Sequence, residues 1–283
     1  MQIGRWLRSV ADLPRADCEA LLCTLTGWSR AQILASPERL IAADDLPRLS
    51  AGVAALRDGQ PLAYVLGCAG FWTLELEVTP AVLIPRPETE LLVELTLALA
   101  PPAARILDLG TGSGAIGLAV ATSRADLQVT ASDRCPAALE VARRNAQRCQ
   151  ANIDFQLSHW FEGFLDRAGS DARWHLVVSN PPYIAANDPH LPALRHEPRA
   201  ALVSGSDGLD DLSAIIRAAP ARLYPGGYLL LEHGYNQAAA VRARLSQTGF
   251  AEIHSHRDLA GIERVTVGCW LPPTPTGAEH RHE

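Results

Sequence analysis

The chain has 283 residues, 48% of them hydrophobic, enough to bury one large core and a smaller one. Its 31 acidic residues outnumber 25 basic ones for a net charge of -6, so it has no basic stripe to hold a phosphate backbone, and no direct nucleic-acid binding is expected. Six scattered cysteines (Cys18, Cys23, Cys68, Cys135, Cys149, Cys269) form no C-x-x-C pair, which argues against a zinc site or disulfide framework and for a reducing compartment.

In chain order, residues 1–10 carry Arg5 and Arg8 but no long apolar run. No later segment approaches the ~18 apolar residues of a membrane span, so a cytoplasmic protein without membrane association is expected. Residues 16–25, 30–35 and 46–57 place apolar side chains three and four apart, which predicts helices, and Pro14, Pro37, Pro47 and Pro61 punctuate them. Residues 68–78 are rich in aromatic and β-branched types and alternate through Leu74-Glu75-Leu76-Glu77-Val78, which predicts a β-hairpin. A helix is expected over 89–99. From Arg105, strand-length apolar runs at 105–109, 128–132, 153–157, 175–179 and 228–232 alternate with helical patterns such as 137–148 and 210–223. That rhythm predicts an α/β fold with a doubly wound, mostly parallel sheet. Two runs with no helix between them, 251–256 and 264–270, predict an antiparallel pair at one edge. The chain thus divides into a helical domain over 1–67, a hairpin linker over 68–85, an α/β domain over 86–271 and a proline-rich tail over 272–283 expected to be disordered.

Ile106-Leu107-Asp108-Leu109-Gly110-Thr111-Gly112-Ser113-Gly114 is a strand entering a glycine turn ahead of a helix, whose first N–H groups are free. Gly112, Gly114 and Gly117 match the dinucleotide pattern, but the frame begins two residues late, and Asp108 would repel a pyrophosphate. A ligand with an ammonium and a sulfonium suits Asp108 better, and S-adenosylmethionine is such a ligand. Asp133 ends the second strand about twenty residues on, where an acid accepts from ribose hydroxyls; alone it serves equally as a helix N-cap. Trp160 follows the third strand, placed to stack on adenine or to fill core.

The fourth strand ends in Asn180-Pro181-Pro182-Tyr183, which resembles the signature of methyltransferases acting on nitrogen conjugated to a π system. Such a nitrogen is a weak nucleophile. Two acceptors, Asn180 Oδ1 and the Pro181 carbonyl, would hold its N–H bonds, with both prolines fixing the backbone and Tyr183 against the flat face of the group. The reaction is then an in-line displacement achieved by positioning.

Together with residues 83–90 (Leu-Ile-Pro-Arg-Pro-Glu-Thr-Glu), His196-Glu197-Pro198, Ala201-Leu202, Leu231-Glu232-His233-Gly234 and Glu263-Arg264-Val265, these motifs resemble the bacterial peptide chain release factor N(5)-glutamine methyltransferase family. The resemblance runs from the N-terminal region to about Trp270. It implies a Rossmann-like, S-adenosylmethionine-dependent enzyme of translation termination with S-adenosylhomocysteine as product. It implies that a five- or six-helix N-terminal domain grips the release factor and that the glutamine of a Gly-Gly-Gln motif is methylated. The cofactor residues it carries over are Gly110, Thr111, Gly112, Ser113, Gly114, Asp133, Trp160 and Asn180. The substrate residues are Asn180, Pro181, Pro182 and Tyr183, with Asn180, Pro181 and Tyr183 catalytic. His159 stands where many relatives carry an acid. Arg86 and Glu88 are divided evenly between a lid or substrate role and support of the helix that follows, while Glu197 is a candidate to order the loop after the tetrapeptide. Glu232 is read as the structural end of its strand. Nothing demands more than a monomer. The competing readings are glutamine methylation of a ribosomal protein, amino-methylation of a nucleic-acid base, and a binding protein that has lost catalysis.

Overall fold

The computed structural model describes residues 1–164 and 172–272, and most of the expected tail, residues 273–283, lies outside them. The chain forms two compact units, one of residues 1–69 with 77–80, the other of residues 70–76 with the described residues from Ala81 on.

The first unit is helical: α1 (Ile3–Ser9), α2 (Arg15–Thr26), α3 (Arg30–Ala35), α4 (Leu46–Arg57) and α5 (Leu62–Leu66). Local chemistry sets the boundaries. Pro14 precedes α2 and Gly27 ends it in a left-handed conformation, while Ser29 and Gln32 form a reciprocal capping box on α3. The core is Ile3, Leu21, Leu22, Ile33 and Leu49, all at most 1% exposed. Glu19 is buried beside it, accepting from Arg15 Nε at 2.6 Å and Arg30 Nε at 2.7 Å, and these bonds hold its carboxyl below the usual range. Neither α1 nor α5 is among the expected helices.

The hairpin pairs β1 (Cys68–Phe71) with β2 (Leu74–Glu77). In the second unit Glu90 Oε1 accepts from the N–H of Trp72 in its turn at 2.7 Å, at the first residue of α6 (Glu90–Leu99).

The large sheet contains β3 (Arg105–Leu109), β4 (Gln128–Asp133), β5 (Ile153–Leu157), β6 (Trp174–Ser179), β7 (Leu223–Glu232), β8 (Ala251–Arg257) and β9 (Glu263–Trp270). Their order is β5-β4-β3-β6-β7-β9-β8, parallel through β7 and antiparallel over β7-β9-β8. The doubly wound α/β expectation and the antiparallel edge pair are both present. Alternate residues feed two cores, as the two-residue strand period requires. Ile106, Val129, Leu176, Val178 and Leu230 meet α6 and α7 (Ala115–Ser123), while Leu107, Val177, Leu229 and Leu231 meet α9 (Asp210–Ala218) and α10 (Ala238–Thr248). α8 (Pro136–Cys149) connects β4 to β5.

One boundary differs from expectation. The helical pattern over 210–223 stops at Ala218 and tightens into a 3-10 turn over Ala219–Arg222 with Pro220 in its first turn, because proline removes a helix-interior N–H; Leu223 already begins β7. The sheet winds outward from β3 in both directions, so the crevice beyond the carboxyl ends of β3 and its neighbours is where such a fold takes a ligand.

Candidate active site

Loops at the carboxyl ends of β3, β4, β5 and β6 meet around one cavity. Gly110, Thr111, Gly112 and Ser113 come from the first, Asp133 from the second, His159 and Trp160 from the third, and Asn180 and Pro182 from the fourth. The glycine turn is held from the neighbouring strand: the N–H groups of Gly110 and Thr111 both donate to Ser132 O, at 2.8 and 2.9 Å. Gly112 adopts φ +56, its N–H donates to Asp133 Oδ2 at 3.0 Å, and a Cβ there would enter open space, so bare backbone forms this wall. Gly114 stands back from the cavity as the residue preceding α7.

Asp108 requires a correction. The carboxylate expected to face a ligand ammonium does not line the cavity, because Asp108 is fully buried. It shares a strand face with Ile106, beneath α7, where Oδ2 accepts from Thr111 Oγ1 at 2.6 Å and from Gly117 N at 3.0 Å. Burial pushes its carboxyl up to about 6, against the pull of those two bonds, and Oδ1 has no hydrogen-bond partner among the described residues. Asp108 braces the turn from below.

Asp133 borders the cavity but is not the N-cap of α8, a place taken by Cys135. Oδ1 accepts from Cys135 N at 2.8 Å at the entry to α8, Oδ2 takes Gly112 N, and the carboxylate borders the cavity. Burial raises its pKa, opposed by these backbone donors. Trp160, with φ +47, lays its ring beside Gly110 and donates Nε1–H to Asp211 Oδ1 at 3.1 Å, so the indole is fixed at both ends. It also packs on the core, the filler role expected of it. The adjacent His159 lines the cavity and its Nδ1 lies 3.2 Å from Glu162 Oε1.

These groups fit S-adenosylmethionine. A carboxylate anchored by two N–H groups retains lone pairs for a vicinal diol, and a fixed indole offers a flat apolar wall.

Beyond β6, Asn180 Nδ2 donates to Thr89 Oγ1 at 3.1 Å, which leaves Oδ1 as the uncommitted acceptor at the cavity. Pro181 is buried and Tyr183 half-buried, and neither lines the cavity wall. Tyr183 Oη donates to Glu232 Oε1 at 3.3 Å. Glu232, 1% exposed at the end of β7, has its carboxyl pushed up to about 7 by burial, with the Thr89 and Tyr183 hydroxyls pulling it down. Glu232 therefore touches the site from beneath, beyond the strand-ending role expected of it.

Gln237 is a site residue that sequence reasoning missed. Its Nε2 donates to Tyr183 O at 3.0 Å and its Oε1 accepts from Gly234 N at 2.8 Å, pinning the tetrapeptide to the loop after β7. Arg86 pairs through Nη2 with Glu197 Oε1, while Ile84 N donates to Glu197 Oε2 at 3.2 Å. This ties the segment carrying Pro85 to the one carrying Pro198, both of which border the cavity. Glu88 is exposed in the short turn ahead of α6.

A family model described as the methyltransferase small domain matches residues 87–197, and one described as the PrmC N-terminal domain matches residues 5–67. A release factor glutamine methyltransferase of Pseudomonas aeruginosa is 50% identical over 260 residues, 90% of this chain and 92% of that protein. Its Salmonella typhimurium counterpart is 44% identical over 96% of this chain and all of its own length. Among solved structures, a methyltransferase from Pyrococcus furiosus shares the fold, with a TM-score of 0.53 at 17% identity over 81% of this chain and 100% of that one. A cavity that suits the cofactor, the Asn-Pro-Pro-Tyr segment that brings Asn180 and Pro182 to it and likeness over nearly the full length agree, and the chain belongs to the release factor glutamine methyltransferase family.

Proposed function

We propose that the chain transfers the methyl group of S-adenosylmethionine to the side-chain amide nitrogen of the glutamine in the Gly-Gly-Gln motif of peptide chain release factors. The carrying observation is the commitment of Asn180 Nδ2 to Thr89, which leaves Asn180 Oδ1 to accept from a substrate N–H. A carboxamide nitrogen has its lone pair spread into its carbonyl, and acceptors on its N–H bonds restore electron density and aim it. Pro181 supplies a second acceptor in its carbonyl. When bound, the cofactor supplies an electrophilic methyl carbon on a sulfonium.

In this reading Gly110, Thr111, Gly112, Ser113, Asp133 and Trp160 hold the cofactor, with Gly114 shaping the turn behind them. Pro182 and Tyr183 bound the substrate amide. The glutamine methyltransferase names of the relatives support the substrate class. The helical unit, matched by its own family model, is assigned to gripping the release factor, and the hairpin to joining it to the catalytic domain. Six free thiols support a reducing compartment, and no described helix is long and apolar enough to cross a membrane.

The test is mass spectrometry of a purified release factor incubated with the protein and S-adenosylmethionine, beside a factor whose Gly-Gly-Gln glutamine is alanine. One methyl on that glutamine, absent from the variant, is the expected result. Label in ribosomal protein or RNA instead would overturn the substrate. Asn180→Ala abolishes transfer in this reading, with cofactor affinity reduced only modestly.

A further inference from the structure

Both polar backbone groups of Gly234 are claimed by side chains. Its N–H donates to Gln237 Oε1 at 2.8 Å, and its carbonyl lies 3.0 Å from Nδ1 of His233. Gln237 in turn holds the tetrapeptide, donating Nε2–H to Tyr183 O at 3.0 Å. A Cβ on Gly234 would meet Gln237 Oε1 at 3.0 Å and one on Gly208 would meet Gln237 Nε2 at 2.7 Å, so this amide is packed as well as bonded. The place of Tyr183 therefore traces back through Gln237 and Gly234 to His233.

His233 follows β7, is 0% exposed, and donates its backbone N–H to Arg264 O at 2.9 Å. Its ring has a second contact, from Nε2 to Thr266 Oγ1 at 2.8 Å. Thr266 on β9 is the cross-strand partner of Ser255 on β8, with their hydroxyls 2.8 Å apart, and Ser255 Oγ accepts from Arg242 Nη1 of α10 at 2.6 Å. The ends of this chain settle where its protons lie, because a guanidinium only donates and a carbonyl only accepts. Ser255 accepts from Arg242 and gives its own proton to Thr266. Thr266 gives its proton to Nε2 of His233, and the ring carries its single proton on Nδ1, facing Gly234 O. Burial lowers the His233 pKa and keeps the ring neutral at pH 7; Arg242 and Arg264 act in the same sense, against the Gly234 carbonyl and Glu263.

An apolar side chain could fill this space, and Arg242 would still pair with Glu263 at 3.2 Å. What the imidazole adds is a donor of fixed direction at Gly234 O. We propose that His233 is a positioning residue for the methyl transfer: locked as the neutral Nδ1–H tautomer between Thr266 and Gly234, it fixes the Gly234 carbonyl and, through Gln237, the Tyr183 backbone beside the substrate amide. The inference rests on the amide-methylation reading given above.

Long-range 1H–15N NMR of the whole protein at neutral pH reads the tautomer directly, with the His233 signals assigned by their loss in His233→Asn. The expected pattern is a proton on Nδ1 and a bare Nε2; a proton on Nε2, or on both nitrogens, would overturn the proposal. The functional half is tested with His233→Asn, His233→Gln, His233→Leu and the double variant His233→Leu/Gln237→Ala. An asparagine amide puts its nitrogen where Nδ1 stands, and a glutamine amide where Nε2 stands. His233→Leu and His233→Gln should raise KM for release factor about tenfold with the dissociation constant of S-adenosylhomocysteine unchanged, since only the substrate wall shifts. His233→Asn should recover most of that loss, and the double variant should lose no more than Gln237→Ala alone. Should His233→Leu not fold, the contrast between His233→Asn and His233→Gln carries the same decision. A further readout needs no turnover: the Gln237 side-chain amide protons, assigned by their loss in Gln237→Ala, should move in His233→Leu and His233→Gln and return in His233→Asn. Equal losses in His233→Asn and His233→Gln, multiplicative losses in the double variant, or Gln237 protons indifferent to these changes would each overturn the proposal. A wild-type enzyme that does not methylate release factor would sink the function reading alone, and the tautomer and the Gln237 protons would still decide this one.

Discussion

Arg86 and Glu197 lie 111 residues apart in sequence, and their side chains meet where two cavity-bordering segments come together. The Glu197 side chain is 3% exposed and that of Arg86 33% exposed, so the acid depends on the guanidinium far more than the reverse. Arg86→Ala should destabilise the fold by about 1–3 kcal/mol, short of a fully buried pair because Arg86 is partly solvated. Urea unfolding measures this. Because the pair joins both sides of the cavity, S-adenosylhomocysteine should also leave faster, and an unchanged off-rate would exclude any part in retaining the cofactor.

Asp133→Ala removes a carboxylate that borders the cavity and is held in place by Gly112 N and Cys135 N. Losing the hydrogen bonds that a diol donates to a charged acceptor should weaken cofactor binding about 10- to 100-fold. Calorimetric titration checks it, and an affinity within twofold of wild type would remove Asp133 from the site.

Asp108 imposes a pH dependence of known sign. Its folded pKa, about 6, lies above the ordinary aspartate value of 3.8, so between those values the folded state holds the extra proton and stability falls as pH rises. The loss is on the order of 2–3 kcal/mol, complete above about pH 7. His233, whose pKa burial lowers, opposes this below its ordinary value of 6.5. The clean readout is therefore the stability difference between wild type and Asp108→Asn at pH 5 and pH 8. The variant should gain on wild type at the higher pH, and a constant difference would show that Asp108 does not titrate there.

Gln237→Ala removes the donor to Tyr183 O at 3.0 Å and the acceptor for Gly234 N at 2.8 Å. It makes no cavity wall, so KM for release factor should rise about tenfold while cofactor affinity stays put. Parallel losses in both would assign Gln237 to general stability.

The parts of this fold that were legible in the sequence are those whose signal is local. Strands β3 and β5 announce themselves as apolar runs, and the Asn-Pro-Pro-Tyr segment carries its chemistry in four adjacent residues. The start of β7 was hidden because Pro225, Gly226 and Gly227 break its apolar pattern. Ile3, Trp6, Leu7 and Val10 do have helical spacing, but α1 is seven residues long and Gln2 gives it no side-chain cap. The neighbours of Asp108 in the glycine turn point it at the ligand, although its two-residue offset from Ile106 places it on a covered face. Glu232 and Gln237 could not be found locally, because their partners are 49 and 54 residues away and adjacency exists only once β6 pairs with β7.

The strand order also has a practical corollary. Asp133 ends β4, Asn180 follows β6, and only β3 lies between them. At the usual strand spacing that is about 10 Å across the sheet. An adenosyl group and a carboxamide joined by a short tether should therefore reach both ends of the cavity at once. Such a bisubstrate compound would gain affinity through effective concentration rather than through any new contact. Its best tether length would act as a ruler laid across β4, β3 and β6.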